Sequence, residues 1–256
     1  MSVKAVKVKD ETLPAEMFEG MEGFGTEFSQ DEVVYPFISR IQTNSPQLIP
    51  GDSQYVEGAK PGDLLHTTTN KLYSELNFIP IKFQHIIIQW RDRDSGGGFV
   101  AAYNPGDPTL PASHKVDNVS IVTDDPQSYL EPNLQYVCAF FDGDEPIGPA
   151  ILSCNKSQLK YAKKFNVALQ NKKINLSDGR KISAPIFSHV YGLSTMLESN
   201  AKGSWFSYKF GEGRAVTDKA LLQEMLETAK QMRESEQVFV PKDEQSEGST
   251  DSAFEI

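Results

Sequence analysis

Apolar residues recur along this chain with two different spacings, and the switches between them outline its elements. From Phe78 to Trp90 the run Phe-Ile-Pro-Ile-Lys-Phe-Gln-His-Ile-Ile-Ile-Gln-Trp is β-branched and aromatic, which predicts a strand. It stops before Gly96, Gly97 and Gly98, and Phe99 to Tyr103 follows as a shorter apolar run, so a hairpin with a glycine tip is expected. Leu134 to Phe141 and Pro149 to Ser153 predict a second strand pair around the turn residues Asp142 to Gly148. At Asn155 the apolar steps lengthen to three and four residues, through Leu159, Ala162, Phe165 and Leu169. That predicts a helix to about Gln170, with Asn155 or Ser157 as its N-cap. Strand-like runs return at Pro185 to Leu197 and Ser204 to Phe210, and Thr217 then heads an amphipathic helix with Leu222, Met225, Leu226 and Ala229 on one face.

Other segments are less regular. Glu32 to Thr43, where Pro36 interrupts Val33, Val34, Phe37, Ile38 and Ile41, reads as a short helix or a capping segment. Residues 104–118 and 123–133 are rich in Pro, Asp and Asn and are expected to be surface loops. Residues 1–30 show no sustained period and read as an irregular arm, and those beyond Pro241 are too polar and acidic to build a core. Hairpin, strand, strand, helix, strand, strand is the order of an OB-fold, and a β-sandwich with an inserted helix gives the same string. The expected fold is α+β and mainly β, an OB-like five-stranded barrel. An OB-like nucleic-acid-binding domain with long loop insertions would span 31–215, after the arm at 1–30. A C-terminal helix at 216–235 and a disordered acidic tail at 236–256 would complete the chain.

The net charge of −10 argues at first against a polyanionic partner, but the charge is segregated. Residues 1–150 hold 10 basic and 22 acidic side chains, residues 151–214 hold 11 basic and 3 acidic, and residues 234–256 hold 1 basic and 7 acidic. A block of net +8 therefore lies between two acidic flanks, and eight aromatics are interleaved with its cations. Cations release counterions from phosphates, and exposed rings stack on bases at about 1–3 kcal/mol each, a combination that suits a single strand without sequence readout. The stacking candidates are Trp205, Tyr208, Tyr161 and Tyr191. Candidate phosphate contacts are Lys160, Lys163, Lys164, Lys172, Lys173, Lys202, Lys209 and Arg214. Trp90, Arg91, Arg93 and Lys82 form a weaker set at a strand and loop edge. Any of these rings equally suits a core, which aromatics dominate in most folds.

Enzyme signals are missing. His66, His85, His114 and His189 are scattered, and no Walker, G-x-S-x-G or H-E-x-x-H pattern occurs. Asp92 with Asp94, and Asp142 with Asp144 and Glu145, sit among turn residues, where aspartate accepts backbone hydrogen bonds. No catalytic residue, metal or cofactor is expected. Cys138 and Cys154 lack metal-ligand spacing and read as buried free thiols. No run approaches a membrane span and no secretory leader opens the chain, so the expected setting is a cytoplasm.

The closing residues, Asp251-Ser-Ala-Phe-Glu-Ile256, resemble the tails of phage and bacterial single-stranded DNA-binding proteins, in which acidic residues precede a terminal or near-terminal Phe. Gly96-Gly-Gly-Phe-Val and Lys202-Gly-Ser-Trp-Phe also look like segments of tailed-phage early proteins. The chain departs from the pattern in that Phe254 is not last and Ser, Gly and Thr space the acids. The resemblance implies sequence-tolerant binding and protection of single-stranded DNA in phage replication or recombination. Asp251, Phe254, Glu255 and Ile256 would dock replication or recombination proteins, and the tail would compete for the DNA groove. Self-association is compatible with this picture. Two other classes stay open: a phage factor that modulates a host protein through its acidic surface, and a metal-dependent nuclease built on the Asp pairs.

Overall fold

The computed structural model describes residues 35–176, 178–201, 203–234 and 239. Before the first helix the strands are β1 (Ile38–Arg40), β2 (Leu64–His66), β3 (Lys71–Tyr73), β4 (Glu75–Arg91), β5 (Phe99–Tyr103), β6 (Ser113–Val116), β7 (Val119–Val122), β8 (Ser128–Asp142) and β9 (Glu145–Asn155). After α1 (Leu159–Asn171) come β10 (Lys173–Asn175), β11 (Lys181–Ser183), β12 (His189–Asn200), β13 (Gly203–Phe210), β14 (Arg214–Ala215) and α2 (Lys219–Glu234). The fold is mainly β with antiparallel ladders, as the spacing predicts.

The long strands β4 and β8 organise the molecule, paired from Asn77 opposite Phe141 to Arg91 opposite Ser128. Phe78 to Ile81 are buried without a break, because both faces of the pair are covered there. A central strand ordinarily excludes proline. Pro80 is accommodated at a register shift between Pro80 and Lys82, where the ladder is already interrupted. Each long strand has two neighbours along its outer edge. β12 takes residues 75–78 of β4 and β5 takes 87–90, while β9 takes residues 133–142 of β8 and β7 takes 129–130. The sheet therefore has a base, β13-β12-β4-β8-β9, and an arm, β5-β4-β8-β7-β6.

α1 covers one face of the base, setting Ala162, Phe165 and Leu169 against Phe78, Tyr136, Tyr191 and Tyr208. Phe165 meets four rings, including Phe210 stacked at 4.5 Å, and truncating a phenylalanine so placed costs about 3–5 kcal/mol. α2 covers the other face through Met225 against Ile79 and Ile81.

Among the described residues no ladder joins β9 to β13, so the expected barrel does not close. β1 occupies the gap. Phe37 bridges Ile151 of β9 in parallel, and the Ile151 N–H donates to the Pro36 carbonyl at 2.9 Å. On the β13 side, the Gln42 amide acts as a surrogate strand. Its Oε1 accepts the Phe206 N–H at 2.8 Å and its Nε2 donates to the Phe206 carbonyl at 2.9 Å. Arg40 Nε donates to the same carbonyl, and Gln158 Oε1 accepts the Tyr208 N–H, each at 2.9 Å. Side chains thus satisfy the edge of β13 and deny it to another strand. The turn carrying Gly62 seats directly on β13. With φ of +95° and a would-be Cβ only 2.6 Å from the Phe206 ring, that position admits glycine alone.

Several expectations are corrected. Ile38–Arg40 is a strand rather than helix, because its partner Leu64–His66 lies beyond a long turn-rich segment that hides the pairing. The loops expected at 104–118 and 123–133 contain β6, part of the β6–β7 turn and the start of β8. Buried polar residues there are hydrogen-bonded, Asn155 Nδ2 donating to Glu131 Oε1 at 2.7 Å and Ser153 Oγ to Asn133 Oδ1 at 2.9 Å, while Asn133 Nδ2 has no partner among the described residues. The second hairpin turns on Gly143 and Asp144 alone, with Asp142 opposite Glu145. No side chain caps α1, which follows a 3₁₀ turn at Lys156–Gln158. Asp218, not Thr217, caps α2, its Oδ1 accepting the Ala220 N–H at 2.8 Å. The glycine tip of the β4–β5 hairpin, the α1 stripe and the two buried free thiols agree with the sequence reading. The disordered tail expected from 236 is corrected at its start, because Phe239 is buried against Val137 and Ile151 and its carbonyl accepts from Gln135 Nε2 at 2.8 Å. The irregular arm at 1–30 and the residues beyond Pro241 lie outside the described residues.

Candidate nucleic-acid interface

α1 is tied to the β12–β13–β14 segment at both ends. At its start, Lys160 Nζ reaches Glu198 Oε1 at 2.6 Å and the Tyr161 hydroxyl donates to the same oxygen. Just past its end, Lys172 Nζ donates to the Gly213 carbonyl at 3.3 Å. Because the apolar stripe faces the core, cations fill the other positions. Lys163 and Lys164 on α1, Lys209 on β13 and Arg214 on β14 are exposed, and none has an ion pair among the described residues. The 13-residue helix makes a ridge about 20 Å long.

Glu198 is the hub at the head of this ridge. Beyond Lys160 and Tyr161, its carboxylate accepts from Trp205 Nε1 at 3.1 Å and from the Ser207 hydroxyl. The bonds from Lys160 foremost, then Ser207 and Tyr161, hold its carboxyl down to a pKa of about 2. Glu198 and then Tyr161 in turn raise the Lys160 ammonium. Behind them Gln158 Nε2 donates to Ser207 Oγ at 3.1 Å, so the hub is anchored to the β13 edge. Trp205 is half-buried, and it forms one wall of a cleft of about 450 Å³ lined by Arg40, Gln42, Thr43, Asn44, Ser157, Gly203 and Ser204.

The structure therefore brings Lys160, Tyr161, Lys163, Lys164 and Trp205 together and separates the rest. Tyr191, Tyr208 and Trp90 are only 2%, 1% and 7% exposed, so their faces are unavailable for stacking and they leave the candidate set. Tyr191 packs against Phe78 and Phe165, and the Tyr208 hydroxyl donates to the Ile38 carbonyl at 2.8 Å. Trp90 joins Ile86 and Ile88 in a small core of the arm. Arg91 pairs with Asp125 at 3.5 Å, and Arg93 is exposed in the 3₁₀ turn after β4. Lys82 lies opposite Val137, on the face that α1 does not cover. Lys173 is exposed but reaches across the β10–β11 hairpin to Ser183 Oγ at 2.7 Å. Lys202 and the tail residues Asp251, Phe254, Glu255 and Ile256 lie outside the described residues. Asp92 serves its turn, Oδ1 accepting the Asp94 N–H at 3.1 Å.

Three features were not read from the sequence. Glu198 is one of only three acids in the 151–214 block, which is the signal that marks it. Arg40 and Gln42 come from a remote segment and carry no local signal. Phe83, 39% exposed on β4, stands on the same face as His85, whose pKa is lowered by burial and then by the charge of Lys163. It adds an open ring on the β4 flank of the ridge.

Among the described residues no helix is long and apolar enough to cross a membrane. No curated protein and no solved structure matches the chain. The model of one protein family, described as Pam3 phage gp34-like protein, matches residues 5–238, nearly the whole length. The chain belongs to the Pam3 phage gp34-like family, a family of phage proteins.

Proposed function

We propose that this protein binds single-stranded DNA without sequence preference along the ridge formed by α1 and the β12–β13 hairpin. The observation that carries the reading is the exposed pair Lys163 and Lys164, without ion pairs among the described residues, on the helix whose start Lys160 and Tyr161 tie to the same carboxylate that holds the half-buried Trp205 indole. Phosphates on these cations release counterions, and bases stack on Trp205 and Phe83. The strand order of the base supports it, since α1 follows the third of five strands as in an OB barrel opened between its third and fifth strands. The protein acts by binding, with no catalytic step, in phage replication or recombination in the host cytoplasm. The acidic tail beyond Pro241 competes for the same cations on a tether and turns to partner proteins when DNA displaces it.

Titration with oligo-dT over a range of salt tests the reading. Each phosphate contact adds about 0.7 to the slope of log affinity against log salt, so Lys163→Ala with Lys164→Ala is expected to flatten the slope by about 1.4. Affinity that ignores salt overturns the assignment. Removal of residues 241–256 is expected to tighten binding, and unchanged or weaker binding ends the autoinhibition reading.

A second reading has one observation in its favour. Phe99, Val100, Val116 and Val119 are exposed on arm strands within the acidic half of the chain, and apolar surface of this kind is what protein partners cover. The protein would then modulate a host protein. It would fail to retain oligo-dT, and Phe99→Ser with Val116→Ser would abolish capture of a specific partner.

A further inference from the structure

The cleft beside Trp205 holds chemistry that the ridge alone does not need. Its aromatic wall is fixed, because Trp205 Nε1 is committed to Glu198. Arg40 is fixed as well, with Nε on the Phe206 carbonyl at 2.9 Å and the guanidinium carbon 4.7 Å above the Tyr208 ring. Its two terminal nitrogens have no hydrogen-bond partner among the described residues, which leaves a preorganised fork for an anion. Gln42 is spent on the β13 edge, but Asn44, Ser157 and Ser204 bring further donors and acceptors to the walls. The cleft is wide open to solvent and offers about 450 Å³ beside these groups, so it would hold a ligand along one side rather than enclose it. The neighbouring carboxylate does not repel an anion as a free one would, since Lys160 neutralises it at 2.6 Å.

A flat ring wall, a rigid guanidinium and mixed polar groups match a nucleotide better than a simple anion or an apolar ligand. We propose that this cleft is a nucleotide subsite, with the base against the Trp205 indole and the phosphate on Arg40. The inference rests on the single-strand reading and deepens it: one nucleotide of the bound strand leaves the ridge and enters the cleft. The same chemistry would also take a free nucleotide, so the experiment separates the two sources.

Tryptophan emission of the full chain is followed during titration with oligo-dT, thymidine 5′-monophosphate, thymidine and inorganic phosphate. Trp90 is buried, so the ligand-sensitive signal belongs to Trp205. Asn44→Phe and Ser204→Leu fill the cleft at exposed positions, where folding is least disturbed. Both are expected to lose the emission change and to weaken oligo-dT by about tenfold, while the salt slope falls only by the roughly 0.7 of the one phosphate held by Arg40 and keeps the part set by the ridge. The monophosphate is expected to quench wild-type emission at concentrations where thymidine or phosphate alone does not. If both variants bind and quench like wild type, the subsite is overturned and the ridge stands. If wild type retains no oligo-dT but the monophosphate still quenches in an Asn44-dependent way, the cleft stands as a free-nucleotide site and the single-strand reading falls. If neither ligand binds, both fall.

Discussion

Glu198 and Trp205 stand opposite each other across the β12–β13 hairpin, and the indole Nε1 donates to Glu198 Oε2 at 3.1 Å. One carboxylate thereby sets the orientation of the only tryptophan that lines the cleft. Lys160, Tyr161 and Ser207 share the same two oxygens, so the start of α1 and the tip of the hairpin are locked by a single acid.

That lock titrates. The Glu198 carboxyl is held down to about 2 against an ordinary 4.5, chiefly by its bond from Lys160. A depressed folded pKa contributes stability that is complete above the ordinary value and lost as pH falls through the folded one. Glu198→Gln is therefore expected to lower the urea midpoint at pH 7 and to differ less and less from wild type as pH falls from about 4.5 towards 2. Equal midpoints at pH 7 would remove Glu198 from its role as hub.

Tyr208 separates structure from binding. Its ring is buried and its hydroxyl donates to the Ile38 carbonyl at 2.8 Å. Tyr208→Phe is expected to cost about 1 kcal/mol of stability and to leave oligo-dT affinity unchanged. Denaturation and titration of one preparation check both halves, and lost affinity at full stability would return this ring to the interface.

The contrast with Trp205 shows what the sequence makes legible. Trp205 and Tyr208 sit three residues apart in one basic, aromatic strand, where alternation alone puts them on opposite faces but does not say which face is covered. That depends on Ile38 and Arg40, which reach β13 from a segment with no local mark of its destination. Strong local spacing made the α1 stripe and the long β4 strand readable. The pairing of β1 with β2 across a turn-rich segment, and the replacement of the closing ladder by Gln42, are long-range events that spacing does not encode. The basic block was visible as composition, whereas its organisation around Glu198 required three dimensions.

Gln158 tests the side-chain seal on the β13 edge. Fully buried, it accepts the Tyr208 N–H at 2.9 Å and donates to Ser207 Oγ at 3.1 Å. Gln158→Leu keeps the bulk but strands a buried N–H, with an expected cost of about 1–3 kcal/mol. The opened edge is also expected to pair with other copies, seen as a concentration-dependent shift to larger species in size-exclusion chromatography. A variant as stable and as monodisperse as wild type would show that the edge needs no seal.

The two thiols report on the core beneath the ridge. Cys138 and Cys154 are fully buried on the face that α1 covers, and burial pushes the Cys154 thiol up to about 12 and Cys138 well above its ordinary value. A raised folded pKa means that their contribution is complete below the ordinary value of 9 and is lost as pH climbs towards 12. The thiolate is the reactive form, so neither cysteine is expected to react with a disulfide reagent at pH 8 while the protein is folded. Both are expected to react together once denaturant opens the β8–β9 pair, at a rate that follows global unfolding. Rapid reaction of one thiol in the native protein would mean that α1 lifts from the sheet by itself, and the ridge would then not be the fixed surface that the single-strand reading requires.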